Sequence, residues 1–173
     1  NQKKIKNSVK VNDTYLKYWN RIFQSKIDIA YLSPTMAQAL ITYSQYEKIS
    51  KKNKKNVKII STGSYLYKST TNKFKKIFGI DLINCYGVTE IGGSISLEKK
   101  NFKDNQSVGK MCSGISVKIT KNKEVFIKSN SMFQGYMEDK KSFKKFSGKY
   151  FNTGDLGQLR NGRLFVYGRT KEI

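Results

Sequence analysis

The sequence has 173 residues, enough for one ordinary domain or two small ones, and its 34 lysine and arginine residues against 12 aspartate and glutamate residues give a formal net charge of +22. Hydrophobic residues make up 38% of the chain, so a packed core is expected, but no run reaches the roughly 18 apolar residues of a membrane span. The absence of histidine excludes His-based catalytic triads and the usual kinds of zinc site.

The positive charge raises the alternative of nucleic-acid binding. The lysines are scattered along the whole chain, however, with a run at 51–55 that is typical of a solvated connection. Arginine, the better ligand for phosphates and bases, occurs at only four positions. We therefore expect no nucleic-acid partner and keep a nucleic-acid binder as an alternative that rests on charge alone.

Cysteine usage and the N-terminal residues indicate the compartment. The two cysteines, Cys85 and Cys112, lack metal-ligand spacing and fit a reducing environment. The first residues are basic, but no apolar region follows them, so the sequence predicts no signal peptide. We interpret the protein as cytoplasmic.

Helix and strand patterns alternate through the first part of the chain. The predicted elements are a helix over 14–23, a strand over 27–32, a helix opened by Ser33 and Pro34, a strand over 57–60, a helix that stops at Gly79, and a strand over 80–85. This alternation predicts an α/β layer with largely parallel strands.

The pattern changes near residue 100. Short strands are predicted over 115–119, 124–128 and 163–167, separated by frequent glycines. Asn161-Gly162, between two strand-like segments, is a strong signal for a two-residue hairpin. We therefore predict a small all-β, barrel-like unit after the α/β layer.

One segment carries a dense set of chemical groups, Asn84-Cys85-Tyr86-Gly87-Val88-Thr89-Glu90. The aromatic ring can stack on a purine, the Thr89 hydroxyl can donate to a phosphate oxygen, and Glu90 offers an oxygen ligand for Mg²⁺. An ordinary strand end with turn residues is the alternative, and the segment alone leaves both interpretations open.

Two further segments are suggestive. Asp155 lies in a glycine-bounded segment, where a carboxylate can accept both hydroxyls of a ribose, although a common Asx-type turn is the interpretation that this segment favours by itself. Residues 168–173 form a charged stretch after a predicted strand, and the alternative for them is a solvated chain end.

In this order and spacing the segments resemble the superfamily of acyl-CoA synthetases, peptide-synthetase adenylation domains and luciferases. Residues 86–90 are similar to its Tyr-Gly-x-Thr-Glu motif, and 150–155 to its Tyr-x-x-Thr-Gly-Asp motif. The remaining similar stretches are 61–66, which is like its glycine-rich turn, 107–114, 124–127 and 135–136, and the hinge-like 168–171.

The resemblance implies a nucleotide site built from named residues. It implies that Tyr86 and Asn84 bind adenine, with Cys85 and Gly87 in the same motif and with Gly63 and Ser64 on the other side of the base. It implies catalytic roles for Thr89, at the α-phosphate, and for Glu90, which would hold Mg²⁺. It further implies ribose binding by Asp155 and Arg169, a hinge at Lys171, and an acyl pocket lined by Ile91, Gly92 and Gly93.

It also implies an activity and a domain organisation. A carboxylic acid is activated by ATP as acyl-AMP and then transferred to a thiol of coenzyme A or of the phosphopantetheine of a carrier protein. Residues 1–103 are expected in an α/β AMP-binding subdomain, 104–167 in the barrel-like subdomain, and 168–173 at the start of a hinge. Neither the acid nor an oligomeric state is predicted.

Two features of the superfamily find no match in these residues. One is a Ser/Thr/Gly-rich phosphate loop that ends in Lys-Gly, and the other is a small C-terminal domain with a catalytic lysine. We therefore expect a fragment of the large N-terminal domain that is inactive alone. The alternative is a truncated relative that binds a nucleotide or a partner without catalysis.

Overall fold

The computed structural model describes residues 13–45, 57–98, 107–137 and 143–170, and it divides the chain into two units, residues 1–82 and 83–173. The lysine run at 51–55, the expected subdomain boundary at 103–104 and the predicted hinge residue Lys171 lie outside the described residues. The expected subdomain boundaries therefore stay predictions.

The first unit alternates helices with strands, as the sequence predicts. Its elements are α1 (Asp13–Gln24), β1 (Ile29–Leu32), α2 (Pro34–Tyr43), β2 (Lys58–Ser61) and α3 (Lys68–Phe78). Strands β1 and β2 pair in parallel, with Ile29 opposite Lys58 and Leu32 opposite Ser61. The α/β class is confirmed.

Capping residues set the bounds of two helices. Ser33 precedes α2 in an extended conformation, and its hydroxyl oxygen accepts the backbone N–H of Met36 at 3.1 Å. Gly79 ends α3 with a left-handed φ of 69°, and its N–H donates to the Lys75 carbonyl at 2.8 Å. Both signals were readable from the sequence, because capping depends on residues that are close together along the chain.

An aromatic cluster forms the centre of the first unit. Trp19 on α1 packs against Phe74 and Phe78 on α3, with ring centroids 5.6 Å and 4.9 Å away. All three side chains are at most 1% exposed. Burial of rings of this size is the main stabilising contribution to such a core.

The second unit consists almost entirely of strands. Its elements are β3 (Leu82–Val88), a short 3₁₀ turn (Thr89–Ile91), β4 (Gly93–Leu97), β5 (Ser107–Met111), β6 (Ser116–Ile119), β7 (Glu124–Lys128), β8 (Gly135–Met137), β9 (Phe143–Lys145), β10 (Phe151–Arg160) and β11 (Arg163–Arg169). Strands β3 to β7, β10 and β11 are ordered β3-β4-β5-β11-β10-β7-β6, while β8 and β9 form a separate ribbon. The predicted all-β part is thus confirmed, with antiparallel pairings.

The predicted hairpin joins β10 to β11. Arg160 pairs with Arg163 across the turn, and Asn161 and Gly162 both have positive φ angles, 50° and 71°. Two left-handed residues in succession match the twist of the flanking strands, which explains why Asn-Gly occurs there.

A second apolar core belongs to this sheet. Its fully buried members come from four strands and from the 3₁₀ turn, namely Ile91, Ile95, Val108, Val125, Ile127 and Leu164. No helix in the described ranges is long and apolar enough to cross a membrane.

Candidate nucleotide-binding site

Asp155 and Arg169 are brought together by strand register. Asp155 on β10 lies directly opposite Arg169 on β11, and the Arg169 Nε donates to Asp155 Oδ1 at 3.0 Å. The Asp155 side chain is 8% exposed, whereas that of Arg169 is 60% exposed. The pair therefore joins a buried carboxylate to a guanidinium that reaches solvent.

The conformation around Asp155 combines strand and turn. The sequence predicted a glycine-bounded turn, but Asp155 lies inside β10, whose pairing with β7 shifts register between Asn152 and Leu156. Within this irregularity Gly154 has a φ of 73°, and its N–H donates to Asn152 Oδ1 at 2.9 Å. The Asx-type bond exists, but as a bulge inside a strand, because β10 pairs with β7 on both sides of it, at Asn152 and at Leu156.

Tyr86 reaches the same carboxylate from β3. Its hydroxyl donates to Asp155 Oδ2 at 2.5 Å. Burial first, and then this hydrogen bond, raise the pKa of the Tyr86 phenol far above its ordinary value, so the phenol remains a donor at neutral pH. In this structure the two side chains are in contact through the hydroxyl and the carboxylate.

The residues that precede Tyr86 are engaged inside the sheet. Asn84 is 8% exposed, and its amide nitrogen donates to the Ser107 carbonyl at 3.1 Å. Cys85 is 5% exposed, and its Sγ donates to Ser94 Oγ at 3.2 Å. The adenine contact predicted for Asn84 and the nucleotide-binding role predicted for Cys85 stay predictions, and in this structure both side chains form hydrogen bonds within the sheet.

Gly87 allows β4 to approach β3 closely, because it lies opposite Ser94 in the pairing of the two strands. A Cβ atom at this position would lie 2.2 Å from the Gly93 carbonyl oxygen, which no side chain can tolerate. Gly92 and Gly93 follow the 3₁₀ turn with φ angles of 80° and 131°, in the region that favours glycine. The glycines of this segment thus hold Thr89 and Glu90 in a closely folded loop.

Thr89, Glu90 and Ile91 face different surroundings. Thr89 is exposed at the start of the 3₁₀ turn, and Glu90 is half-buried, with Oε1 accepting the Tyr136 hydroxyl at 2.8 Å. Ile91 is 3% exposed and packs in the second core. Of the three residues predicted to line an acyl pocket, Gly92 and Gly93 are therefore the ones with exposed surface.

The carboxylate of Glu90 fits a magnesium ion only if a bound nucleotide supplies further oxygen ligands. Within the described ranges, no group of three or more Cys, Asp or Glu side chains comes close enough to hold a cation. Mg²⁺ in nucleotide sites is commonly held by one or two carboxylates together with phosphate oxygens and water. A single carboxylate at Glu90 meets that requirement.

Gly63 and Ser64 lie in the exposed turn between β2 and α3, in the first unit. Gly63 has a φ of 98°, which favours glycine at this position. The adenine-binding role of both residues stays a prediction.

A pocket of about 460 Å³ lies elsewhere in the second unit. It is lined by lysines and aromatic residues together with small polar ones, namely Lys128, Ser129, Met132, Phe133, Gln134, Lys145, Phe146, Gly148 and Lys149. None of these is a predicted site residue. The predicted ribose-binding residues Asp155 and Arg169 contact each other, and Asp155 contacts Tyr86, instead of lining this pocket.

The sequence interpretation assigned no role to Tyr136. Gly135-Tyr136 was part of the resemblance, but 46 positions separate Tyr136 from Glu90, and no local pattern indicates their contact. The Gly135-Tyr136 pair is the one available signal in the sequence.

Residues 8–137 match the family described as AMP-binding enzyme, and the chain therefore belongs to that family. The match includes the segment from Asn84 to Gly93 and ends before Asp155 and Arg169. The contact of Tyr86 with Asp155 thus joins a residue inside the matched region to one outside it.

Named relatives are coenzyme A ligases. The chain is 31% identical over 97 residues to a long-chain-fatty-acid–CoA ligase of Mycobacterium bovis, covering 55% of this chain and 16% of that protein. It is 32% identical over 122 residues to a 2-succinylbenzoate–CoA ligase of Listeria monocytogenes, covering 68% of this chain and 26% of that protein. The chain thus spans about a sixth to a quarter of the length of these relatives.

A solved structure confirms the fold. The crystal structure of an anthranilate CoA ligase in complex with anthranoyl-AMP superposes with a TM-score of 0.74 at 20% identity, covering 90% of this chain and 32% of that one. This likeness extends beyond residue 137, so it includes most of the region that carries Asp155 and Arg169.

Proposed function

We propose that this chain supplies the AMP-binding part of an enzyme that activates a carboxylic acid as acyl-AMP and then transfers the acyl group to a thiol. The observation that carries the proposal is the Asp155 carboxylate, buried between Tyr86 and Arg169 within a family of AMP-binding enzymes. The named relatives support the proposal, because they are ligases that join carboxylic acids to coenzyme A.

The carboxylate has the capacity to bind a ribose. Asp155 accepts one bond from Tyr86 and one from Arg169, each on a different oxygen. An ionised carboxylate offers about four lone-pair sites, so two further donors can be accepted. The two hydroxyls of a ribose are a matching pair of donors, and Arg169 compensates the buried negative charge.

Tyr86 connects the ribose contact to the base. In the proposed complex its ring stacks on adenine, and its hydroxyl either keeps or gives up the bond to Asp155 as the ribose binds. Thr89 and Glu90 follow Tyr86 by only a few residues, and Gly87 and Gly92 fold this segment tightly. We infer that Thr89 donates to the α-phosphate and that Glu90 faces the phosphates.

The reaction has two steps. A carboxylate oxygen of the substrate acid forms a bond to the α-phosphorus of ATP as pyrophosphate leaves, which gives acyl-AMP. A thiol sulfur then forms a bond to the acyl carbon as AMP leaves and the thiol proton passes to solvent or a base. The chemistry that Mg²⁺ supplies when bound is neutralisation of phosphate charge, and Glu90 is the side chain that would hold it.

The proposal also includes the location of the acid, the thiol acceptor, the hinge and the cellular compartment. The acid would lie near Gly92 and Gly93, the exposed glycines after the 3₁₀ turn. The acceptor would be coenzyme A or the phosphopantetheine of a carrier protein, and Lys171 would mark the hinge. A reducing, cytoplasmic setting agrees with Cys85 and Cys112, which form no disulfide.

Nucleotide binding by the purified chain tests the ribose assignment. AMP affinity measured by titration calorimetry should fall about tenfold or more in Asp155→Asn, because each hydrogen bond to a charged acceptor contributes about 1.5–3 kcal/mol. Asp81→Asn is the matched control, since Asp81 is a carboxylate of the first unit paired at the surface with Lys75. Equal AMP affinity in wild type and Asp155→Asn would contradict the proposal.

A second measurement separates catalysis from binding. Because these residues contain no Ser/Thr/Gly-rich segment ending in Lys-Gly, we propose that the chain alone does not complete the first step. Radiolabelled pyrophosphate should not be incorporated into ATP by the purified chain with any acid. Measurable exchange would show that the phosphate-binding function is present in these residues after all.

A further inference from the structure

The segment that leads into β8 holds the 3₁₀ turn at three points. The Phe133 N–H donates to the Glu90 carbonyl at 2.7 Å, and the Ser131 hydroxyl donates to the Ile91 carbonyl at 2.9 Å. The third contact is to a side chain, from the Tyr136 hydroxyl to Glu90 Oε1 at 2.8 Å. Both the backbone and the carboxylate of Glu90 are therefore held by one segment.

An aromatic cluster stiffens that segment. The Phe133 ring packs against the ring of Tyr136, with centroids 4.8 Å apart, and against those of Phe146 and Phe151 at 5.2 Å and 5.5 Å. Tyr136 also lies on the β8–β9 ribbon, paired with Lys144. Its ring is 49% exposed, so the hydroxyl is placed by these neighbours and not by deep burial.

The hydrogen bond leaves Glu90 able to bind a cation. A phenol donates one hydrogen bond, whereas a carboxylate has two oxygens with about four lone-pair sites. A tyrosine hydroxyl is protonated at neutral pH, so it acts as the donor to the carboxylate. Groups that hydrogen-bond a ligating carboxylate set its orientation and commonly contribute tenfold or more to metal affinity.

We propose that Tyr136 is a positioning residue that orients the Glu90 carboxylate toward a magnesium ion held jointly with the phosphates of ATP. The inference rests on the proposed function, in which Glu90 faces those phosphates. It adds a residue from a different strand, and it explains why the segment from Ser131 to Tyr136 is bound to the 3₁₀ turn through both backbone and side chain.

The test compares ATP affinity of the purified chain with excess Mg²⁺ and with EDTA, by titration calorimetry. The ratio of the two dissociation constants is the magnesium gain. Glu90→Gln should abolish the gain, and Tyr136→Phe should reduce it about tenfold while AMP affinity in EDTA stays unchanged. In the Glu90→Gln background, Tyr136→Phe should have no further effect on the gain, because the two residues act through one contact.

Tyr167→Phe is the matched control. It removes a phenolic hydroxyl from another exposed tyrosine of the same unit, 47% exposed on β11, and should leave the magnesium gain at the wild-type value. If Tyr136→Phe keeps the wild-type gain while Glu90→Gln loses it, this inference is overturned and the proposed function stands. If Glu90→Gln keeps the gain, or wild type shows none, the metal assignment of the proposed function fails and the inference fails with it.

Discussion

The Tyr86 hydroxyl donates a 2.5 Å hydrogen bond to Asp155 Oδ2 although the two residues are 69 positions apart in the sequence. Arg169 binds the other oxygen of the same carboxylate at 3.0 Å. The three side chains come from β3, β10 and β11, so the arrangement exists only when the sheet of the second unit is formed. Ligand binding at Asp155 should consequently require the folded sheet.

The ion pair should matter more for ligand affinity than for folding. Arg169→Gln should lower AMP affinity about three- to tenfold, because Asp155 loses the donor that orients Oδ1 and compensates its charge. The free energy of unfolding should change by no more than about 1 kcal/mol, since the guanidinium is 60% exposed and screened by water. Titration calorimetry and urea denaturation measure the two effects.

Arg160→Gln is the control for this substitution. Arg160 is an exposed arginine at the opposite end of β10, and its guanidinium lies over the Phe165 ring at 5.4 Å. It should leave AMP affinity unchanged. A loss of affinity as large as that of Arg169→Gln would indicate a general effect of positive charge and not a specific contact.

Tyr86 should make the folded state sensitive to alkaline pH. Its pKa is raised in the folded chain above the ordinary value of 10.0, so above about pH 10 the unfolded state loses a proton that the folded state retains. This contribution to stability is fully present below about pH 10 and decreases as the pH rises toward the folded value.

Tyr86→Phe removes the ionising group and provides the comparison. The difference in unfolding free energy between wild type and Tyr86→Phe should shrink by up to about 1.4 kcal/mol per pH unit above about pH 10. Urea denaturation curves at a series of pH values between about 8 and 11 would show this. Parallel pH profiles for the two proteins would contradict a buried, hydrogen-bonded Tyr86.

Gly87→Ala should disturb the loop that carries Thr89 and Glu90. An added Cβ would meet the Gly93 carbonyl oxygen at 2.2 Å, a contact that only a backbone shift can relieve. We expect a loss of roughly 1–3 kcal/mol in unfolding free energy, measured by thermal or urea denaturation.

The matched control is Gly168→Ala on β11. No atom lies within 4 Å of the Cβ that this change adds. It should change stability by less than about 1 kcal/mol, as a glycine-to-alanine change in a strand without a clash usually does. Equal losses in the two variants would mean that the approach of β3 to β4 at Gly87 is not as close as the structure shows.

The buried ion pair between Arg163 and Glu98 provides a stability test of the sheet at a distance from the proposed site. The Arg163 Nη1 donates to Glu98 Oε1 at 2.7 Å, and the side chains are 15% and 7% exposed. Arg163→Met should destabilise the chain by about 3 kcal/mol, because the carboxylate is left buried without this cation. Denaturation at neutral pH measures the effect, and a variant as stable as wild type would contradict the buried pairing.

The sequence by itself determined features that depend on neighbouring residues. Ser33 and Pro34 predicted the start of α2, Gly79 predicted the end of α3, and Asn161-Gly162 predicted the turn between β10 and β11. Each works through the local backbone, where a cap hydrogen bond or a positive φ angle restricts the conformation regardless of what packs nearby. The motif around Tyr86 was likewise readable, because its residues are consecutive.

The tertiary structure decided which side chains meet. Asp155 was expected in a turn, but the pairing of β10 with β7 on both sides makes that turn a bulge within a strand, and the pairing of β10 with β11 places Arg169 opposite Asp155. Tyr86 touches Asp155, and Tyr136 touches Glu90, over separations of 69 and 46 positions. Such contacts depend on strand order and register, which follow from burial of the whole sheet and not from any short segment of the sequence.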